Sequence, residues 1–253
     1  MTDVIVERRG CVQVIMINRP EARNAVNLSV STGVAAAIDE LESSDELRAG
    51  VLTGAGGNFS SGMDLKAFLR GERPSIEGRG MCGIVLTPPR KPLIGAVEGW
   101  ALAGGFELLL ACDMIVAART ARFGVPEVKR SLVAAGGAAF LLPRRIPYAI
   151  AMELLLAGEP IDAPRAAEIG LVNRLVEEGD AADGAVELAS AIAANGPLAL
   201  IATKEIARRS TDWTLTEGWE QQRAIAEPVF ASEDASEGAR AFAERRSPCW
   251  RGR

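Results

Sequence analysis

Apolar residues alternate with others at Val4 and Val6 and again at Val12, Val14 and Met16, on either side of Arg9-Gly10. A period of two about a glycine turn predicts a β-hairpin. Asn18-Arg19-Pro20 ends its second strand, because proline brings no N–H to the ladder. The period then changes. Val34, Ile38 and Leu41 fall on one face of a helix over about 29–41. Short apolar runs at 50–53, 92–97, 113–117 and 171–176 predict buried strands, and runs at 105–111, 148–156 and 186–194 predict helices.

Turn residues divide these segments. Gly54-Ala55-Gly56-Gly57-Asn58 is a loop, but Phe59 stands where a dinucleotide loop needs its last glycine, and no Walker lysine is found after it. Ser61-Gly62-Met63-Asp64 opens a helix with Asp64 at its N-terminus and Leu65, Phe68 and Leu69 expected inward. Residues 71–92, rich in Gly, Pro and Arg, are expected to form a long mobile connection. Gly136-Gly137 makes a turn, and Pro143-Arg144-Arg145 separates Phe140-Leu141-Leu142 from the apolar run at 148–156. Asp162 caps a short helix that Gly170 stops. Beyond Asn195-Gly196-Pro197 the chain becomes more charged and wholly helical, with a capping box expected at Asp234-Ala235-Ser236-Glu237 and a stop at Pro248. The expectation is a mixed α/β core over 1–195 and a helical C-terminal domain over 196–253.

Composition narrows the chemistry. A chain of 253 residues, 48% hydrophobic, can bury a large core. A net charge of −5 argues against broad phosphate neutralisation, hence against a nucleic-acid partner. The start lacks the pattern of a signal peptide, and no apolar run is long enough to span a membrane, so a cytoplasmic protein with no membrane partner is expected. Cys11, Cys82, Cys112 and Cys249 show no Cys-x-x-Cys spacing, and there is no histidine at all. No metal site, Ser-His-Asp triad or Cys-His pair is therefore expected. Proton transfer near neutral pH falls to carboxylates, Lys, Cys or Tyr148.

Two stretches can carry such chemistry. Gly104-Gly105 joins a strand to an apolar helix, leaving N–H groups unpaired at the positive end of the helix dipole. The turn at Gly62-Met63 also precedes a helix and could supply a second N–H. Two converging donors would stabilise an oxyanion. Glu107, among Phe106, Leu108, Leu109 and Leu110, should have a raised pKa. Glu127 comes after Pro126 at a second turn. A glutamate in a first helical turn is also commonly just a partner of the dipole, so on the residues alone an enzyme and an inert fold both stay open.

The order and spacing of four motifs resemble the crotonase, or enoyl-CoA hydratase/isomerase, superfamily. They are Phe59 through Lys66, Ala101 through Glu107, Ala111-Cys112-Asp113, and Phe123 through Glu127. Asn18-Arg19-Pro20 with Asn24-Ala25, and Ala241 through Arg246, extend the likeness to both ends. The resemblance implies a spiral of ββα units with a C-terminal helical domain, assembled as a homotrimer or a hexamer of paired trimers. It implies an acyl-CoA or enoyl-CoA thioester as substrate with no separate cofactor, its carbonyl held by the N–H groups of Met63 and Gly104. Glu107 would orient and deprotonate water, and Glu127 would protonate the α-carbon. Arg19, Arg23, Ala25, Ser61, Asp64 and Lys66 would lie along the CoA path, and Phe242 and Arg245 would reach a CoA on a neighbouring subunit.

Within the family the likeness leans towards carnitinyl-CoA dehydratase. Trp100 is the one aromatic face suggested for a trimethylammonium group. Departures from the common pattern gather near Glu127. Ser131 replaces a frequent glycine, Ala134 a frequent proline, and Leu141 a frequent arginine. Ala138 takes the place of a glycine, and Ala103 replaces the first of three glycines. Hydration of a trans-2-enoyl-CoA, or its reverse, is the leading expectation. A Δ3,Δ2-enoyl-CoA isomerase using Glu127 alone, a silent acyl-CoA binder and a thioesterase are the alternatives.

Overall fold

The computed structural model describes residues 2–253; Met1, part of the N-terminal stretch that lacks a signal-peptide pattern, lies outside them. Strands β1 (Val4–Arg9) and β2 (Val12–Ile17) form the expected hairpin, with Val4 opposite Ile17. Helix α1 (Leu28–Ser43) begins at Asn27, whose side chain accepts from Val30 N–H. Its last carbonyls are satisfied from elsewhere. Lys91 Nζ donates to the carbonyls of Leu41 (2.7 Å), Ser44 (2.6 Å) and Leu47 (2.8 Å). Strand β3 (Ala49–Gly54) then runs parallel to β2.

Helix α2 (Leu65–Leu69) is capped by Asp64 as expected, but it turns the other way. Only Ala67 is buried, while Leu65, Phe68 and Leu69 are exposed, Leu69 at 84%. One helical turn and a half is too short to show a periodic face, and the three apolar residues gave no phase. The 71–92 segment is likewise not a plain connection. It contains a small hairpin, β4 (Ser75–Ile76) with β5 (Gly80–Met81), and buries Cys82 and Ile84 in the main core.

Two ββα units come next. The first is β6 (Leu93–Val97), β7 (Trp100–Leu102) and α3 (Gly104–Ala111). The second is β8 (Met114–Ala118), β9 (Arg122–Gly124), a 3-10 turn at Pro126–Arg130 and α4 (Ala138–Arg145). Because β6 pairs in parallel with β8, and β7 in parallel with β9, successive units stack as turns of one spiral. Pro143 lies inside α4 and does not end it. Helix α5 (Tyr148–Ala157), β10 (Ile161–Asp162), α6 (Ala163–Glu168, capped by Asp162), β11 (Arg174–Val176) and α7 (Ala181–Ala193) complete this part. The large sheet has the order β1-β2-β3-β6-β8-β11, and a small one the order β10-β9-β7.

The large sheet is covered on both faces, which explains why its strands were short apolar runs. Val12, Val14, Ala49, Val51, Ile94, Ala96 and Val116 meet a stripe of Ala181, Ala185, Ala189 and Ala193 on α7. Their spacing of four puts small side chains on one helical face, so the backbone packs close to the sheet. Ile15, Ile17, Leu52, Leu93 and Val97 point the other way, into the main core with α1 and α3.

The last helices are α8 (Pro197–Arg209), α9 (Leu215–Phe230) and α10 (Glu233–Glu244). Lys204 ties α8 down, donating to Asp113 Oδ2 (2.6 Å) and Lys91 O (2.8 Å). The capping box belongs to α9, between Thr214 and Glu217, and not to Asp234. Helix α10 starts earlier than expected, capped by Ser232. Asp234 is buried and accepts from the N–H groups of Arg251 (2.7 Å) and Gly252 (2.9 Å), pinning the C-terminal residues. A polar residue in a first helical turn suggests a cap by sequence; here its partners lie 17 and 18 residues away. No single helix among the described residues is long and apolar enough to cross a membrane.

Candidate active site

The strand–glycine–helix stretch and the Gly62-Met63 turn come together in space. Ser60 N donates to Trp100 O (3.1 Å) and Leu102 N to Ser60 O (3.0 Å), laying residues 60–63 beside β7. The approach is close because Gly105 has no side chain; a methyl group there would lie 2.4 Å from Ser60 O. One on Gly62, at φ +91°, would lie 2.8 Å from Gly104 N. Met63 N and Gly104 N are thus neighbours, a methyl group on Gly104 lying 3.4 Å from Met63 N, and neither N–H donates to a backbone or side-chain acceptor among the described residues. Ala103, just before, has φ +51° and ψ −128°, a region that favours glycine. Its N–H is held by Gly124 O at 2.9 Å, which fixes the turn.

Glu107 sits one helical turn further on and is 5% exposed. Burial pushes its carboxyl up to about 7, and the charge of Glu127 adds to the effect; N–H groups from Ala138 and Gly136 work against it. Ala138 N donates to Glu107 Oε1 at 3.1 Å. Ala138 is the first residue of α4, so the carboxylate rests on that helix's positive end. Gly136 makes room, since a methyl group there would lie 2.3 Å from Glu107 Oε2. The unusual placing of Gly136 and Ala138 in the sequence is therefore a fitted seat for Glu107. At the other end of these two helices Arg145 Nη2 donates to Cys112 O, bracing α3 against α4.

Glu127 lies in the 3-10 turn after β9. Its Oε2 is buried with no hydrogen-bond partner among the described residues, and burial raises its pKa against the pull of its own backbone N–H and of Arg130. Ser131, at φ +54°, ends that turn in the left-handed region, which is why glycine is common at this place. Glu107 and Glu127 are therefore two carboxyls that resist ionisation, and Met63 and Gly104 carry N–H groups that lack acceptors among the described residues.

The residues expected along a CoA path are spread more unevenly. Arg19 is committed to the fold. Its guanidinium pairs with Asp64 Oδ2 (3.1 Å from both Nη1 and Nη2) and donates to Ala25 O (2.6 Å), with Arg19 17% and Asp64 13% exposed. Arg23 stands at φ +52°, Ser61 is half-buried, and Lys66 is exposed on the first turn of α2. Ser61 N donates to Arg23 O (3.0 Å), which joins the Arg23 turn to the segment before α2, while Ala25 is buried. Phe242 (88% exposed) and Arg245 lie on and just after α10, which packs on α9, away from α3.

Several contributors were given no role by sequence, although Asn24 and Ser60 lie in the motifs quoted above. Buried Asn24 bonds Ala55 O (2.8 Å), Asn58 O (2.7 Å) and Arg19 N (2.9 Å), and Ser60 Oγ donates to Asn24 O (2.8 Å). Together they hold the loop that presents Met63. Met81 of β5 also reaches Gly104. Their signals are single polar or apolar residues in loops, without period.

The sequence matches the enoyl-CoA hydratase/isomerase family over residues 7–253. It is 43% identical to an enoyl-CoA hydratase of Mycobacterium tuberculosis (EchA19), covering 99% of this chain and 97% of that one. It is 40% identical to a carnitinyl-CoA dehydratase of Proteus mirabilis, covering 97% of each. A crystal structure of an enoyl-CoA hydratase from Mycobacterium tuberculosis superposes with a TM-score of 0.98 at 56% identity, covering all of both chains. The stacked ββα units, the N–H pair and these likenesses agree: the chain belongs to the enoyl-CoA hydratase/isomerase family, the crotonase fold.

Proposed function

We propose that the chain is an enoyl-CoA hydratase, a hydro-lyase that adds water reversibly across a trans-2-enoyl-CoA to give a 3-hydroxyacyl-CoA. The observation that carries this is the seat that Gly136 and Ala138 make for buried Glu107, together with the buried and unpartnered Oε2 of half-buried Glu127. In this reading the thioester oxygen lies between Met63 N–H and Gly104 N–H, which stabilise it more as enolate charge develops. Glu107 takes a proton from the water that attacks the β-carbon, and Glu127 gives one to the α-carbon. The pair must carry one proton between them, and burial, which raises both pKa values, favours keeping it. An isomerase using Glu127 alone would not need the seat that Gly136 and Ala138 make for Glu107.

The wider assignments belong to the same proposal. CoA runs along Arg23, Ala25, Ser61, Asp64 and Lys66, with Arg19 holding Asp64 and Ala25 in place. No further cofactor is required. Residues 196–253 form the helical domain, and exposed Leu215, Trp219, Phe230 and Phe242 suit burial between subunits of a trimer or hexamer, where Phe242 and Arg245 reach the next CoA. The site of action is the cytoplasm.

The test is direct. Purified protein is given crotonyl-CoA and a 3-enoyl-CoA while the conjugated thioester absorbance is followed. Loss of absorbance with the first and none gained with the second is expected; the reverse would establish the isomerase, and binding without turnover the silent binder.

A further inference from the structure

Apolar side chains approach the turns at Gly104 and Gly137, and two of them come from the segment expected to be a mobile loop. A methyl group placed on Gly104 would lie 2.9 Å from Met81 Cε, 3.3 Å from Met81 Sδ and 3.4 Å from Met63 N. The thioether therefore stands beside the N–H pair. At the Glu107 end, a methyl group on Gly137 would touch Leu141 Cδ1 at 3.2 Å and Val85 Cγ1 at 3.9 Å, one residue from the glycine that seats Glu107. Met81 and Leu141 pack on the main core while remaining only partly buried, and Val85 is 9% exposed.

The nearest atoms at Gly104 and Gly137 are thioether, aliphatic and backbone atoms, none of which replaces the hydration of a cationic acyl end. A quaternary ammonium leaving water needs an aromatic face or a carboxylate to replace its hydration. The suggested aromatic, Trp100, sits opposite Arg122 in the β7–β9 ladder, so its cross-strand neighbour is itself a guanidinium. Arg79 of the β4–β5 hairpin is engaged elsewhere, with Asp39 (2.7 Å) and Gly83 O (3.1 Å). Glu107 and Glu127 are committed in the proposed reaction to water and proton.

We propose that Met81, Val85 and Leu141 determine acyl specificity, admitting a short uncharged aliphatic enoyl chain and excluding one that ends in trimethylammonium. This rests on the hydratase reading and narrows its substrate class. It separates the chain in substrate from the carnitinyl-CoA dehydratases it resembles in sequence.

The experiment compares kcat/KM on crotonyl-CoA, trans-2-hexenoyl-CoA and crotonobetainyl-CoA for the wild type, Met81→Ala, Leu141→Ala and Leu86→Ala. Leu86, 68% exposed in the same segment, is the control for damage to the hairpin region. Wild-type protein should prefer crotonyl-CoA over crotonobetainyl-CoA by about a hundredfold or more. Met81→Ala and Leu141→Ala should each move the hexenoyl-to-crotonyl ratio towards hexenoyl-CoA by about tenfold, and Leu86→Ala by less than about twofold. The ratio is internal to each variant, so a partly unfolded preparation does not distort it. Comparable rates on the crotonyl and crotonobetainyl esters, or a ratio that neither truncation moves, would overturn the proposal and leave the hydratase standing. Protein inert towards all three esters would overturn the hydratase reading, and this inference with it.

Discussion

Two corners of the molecule each bring a carboxylate to backbone N–H groups at a helix start, and they use the arrangement in opposite ways. At Asp64, burial would raise the pKa, but the N–H groups of Ala67 and Lys66 and the Arg19 guanidinium outweigh it and hold the carboxyl below its usual range. At Glu107, N–H groups from Ala138 and Gly136 do not outweigh burial and the nearby charge of Glu127, and the carboxyl rises to about 7. The first corner is satisfied and serves as a strut. The second keeps an unmet demand for a proton or a partner, and that demand is what chemistry can use. Sequence marked both as site residues; the cation beside one and its lack beside the other tell them apart.

The largest effect expected is on turnover. Glu107→Gln and Glu127→Gln should each lower kcat on crotonyl-CoA by about a thousandfold, as loss of a positioned acid or base does. Because the two act on one water, the double variant should be little worse than either single one. Wild-type kcat/KM should trace a bell against pH, since only the singly protonated pair is active. If Glu107→Gln kept near-full activity, the contrast between the two corners would lose its functional meaning.

The strut should fail in stability. Asp64→Ala removes the cap of α2 and leaves a mostly buried guanidinium unpaired, at a cost of about 3–4 kcal/mol in urea unfolding. The two corners should also respond oppositely to pH. Asp64, with its pKa lowered by folding, contributes stability above its unfolded value, and that contribution is lost as the pH falls below about 4. Glu107 is raised from 4.5 to about 7, so folding is favoured by the neutral form. Its contribution is full below pH 4.5 and is lost as the pH rises to about 7. Glu107→Gln, which stays neutral, should therefore be more stable than wild type at about pH 8 by roughly 3 kcal/mol, with the gain gone at about pH 4. A gain independent of pH would mean that burial of charge is not the cause. Gly136→Ala probes the same seat sterically. Its methyl group would displace the Glu107 carboxylate and lower kcat/KM by about a hundredfold, with a smaller change in KM.

Much of this was legible in the chain. The hairpin, β3, β6, β8 and the helices α1, α3 and α5 could be read from period and run length, and β2, β3, β6, β8, α1 and α3 each bury several apolar residues in a regular array. Zero histidines pointed to carboxylates, and the Gly-Gly turn located one of them. The illegible parts depend on contacts between distant segments. The outward face of α2 has too few residues to set a phase. The hairpin at 75–81 is held by Cys82 and Ile84 in a core that local composition does not reveal. The seat of Glu107 is a main-chain N–H from Ala138, 31 residues away, and a backbone donor leaves no mark on residue type. Asp234 misled for the same reason.

The smallest effect concerns the turn that aims the second N–H. Ala103 replaces a glycine, a change that is modest on paper. In the structure its φ of +51° with ψ −128° puts a side chain where only glycine rests easily, and its Cβ would crowd any methyl group on Gly62 at 3.0 Å. Such strain costs about 1–3 kcal/mol, whereas a glycine adds about 0.4–1 kcal/mol of unfolded-chain entropy, so Ala103→Gly should stabilise by about 1 kcal/mol. The catalytic outcome separates two roles for the strain. If Ala103 only replaced glycine at a cost, the variant gains stability and kcat stays the same. If the strained turn is what keeps Gly104 N–H rigidly opposed to Met63 N–H, the variant gains stability and loses kcat, with KM little changed. The bond from Ala103 N to Gly124 O already fixes the turn from the β9 side, so the first outcome is expected. A fall in kcat beyond about threefold would place Ala103 with Glu107 in the catalytic machinery, where strain is part of the chemistry.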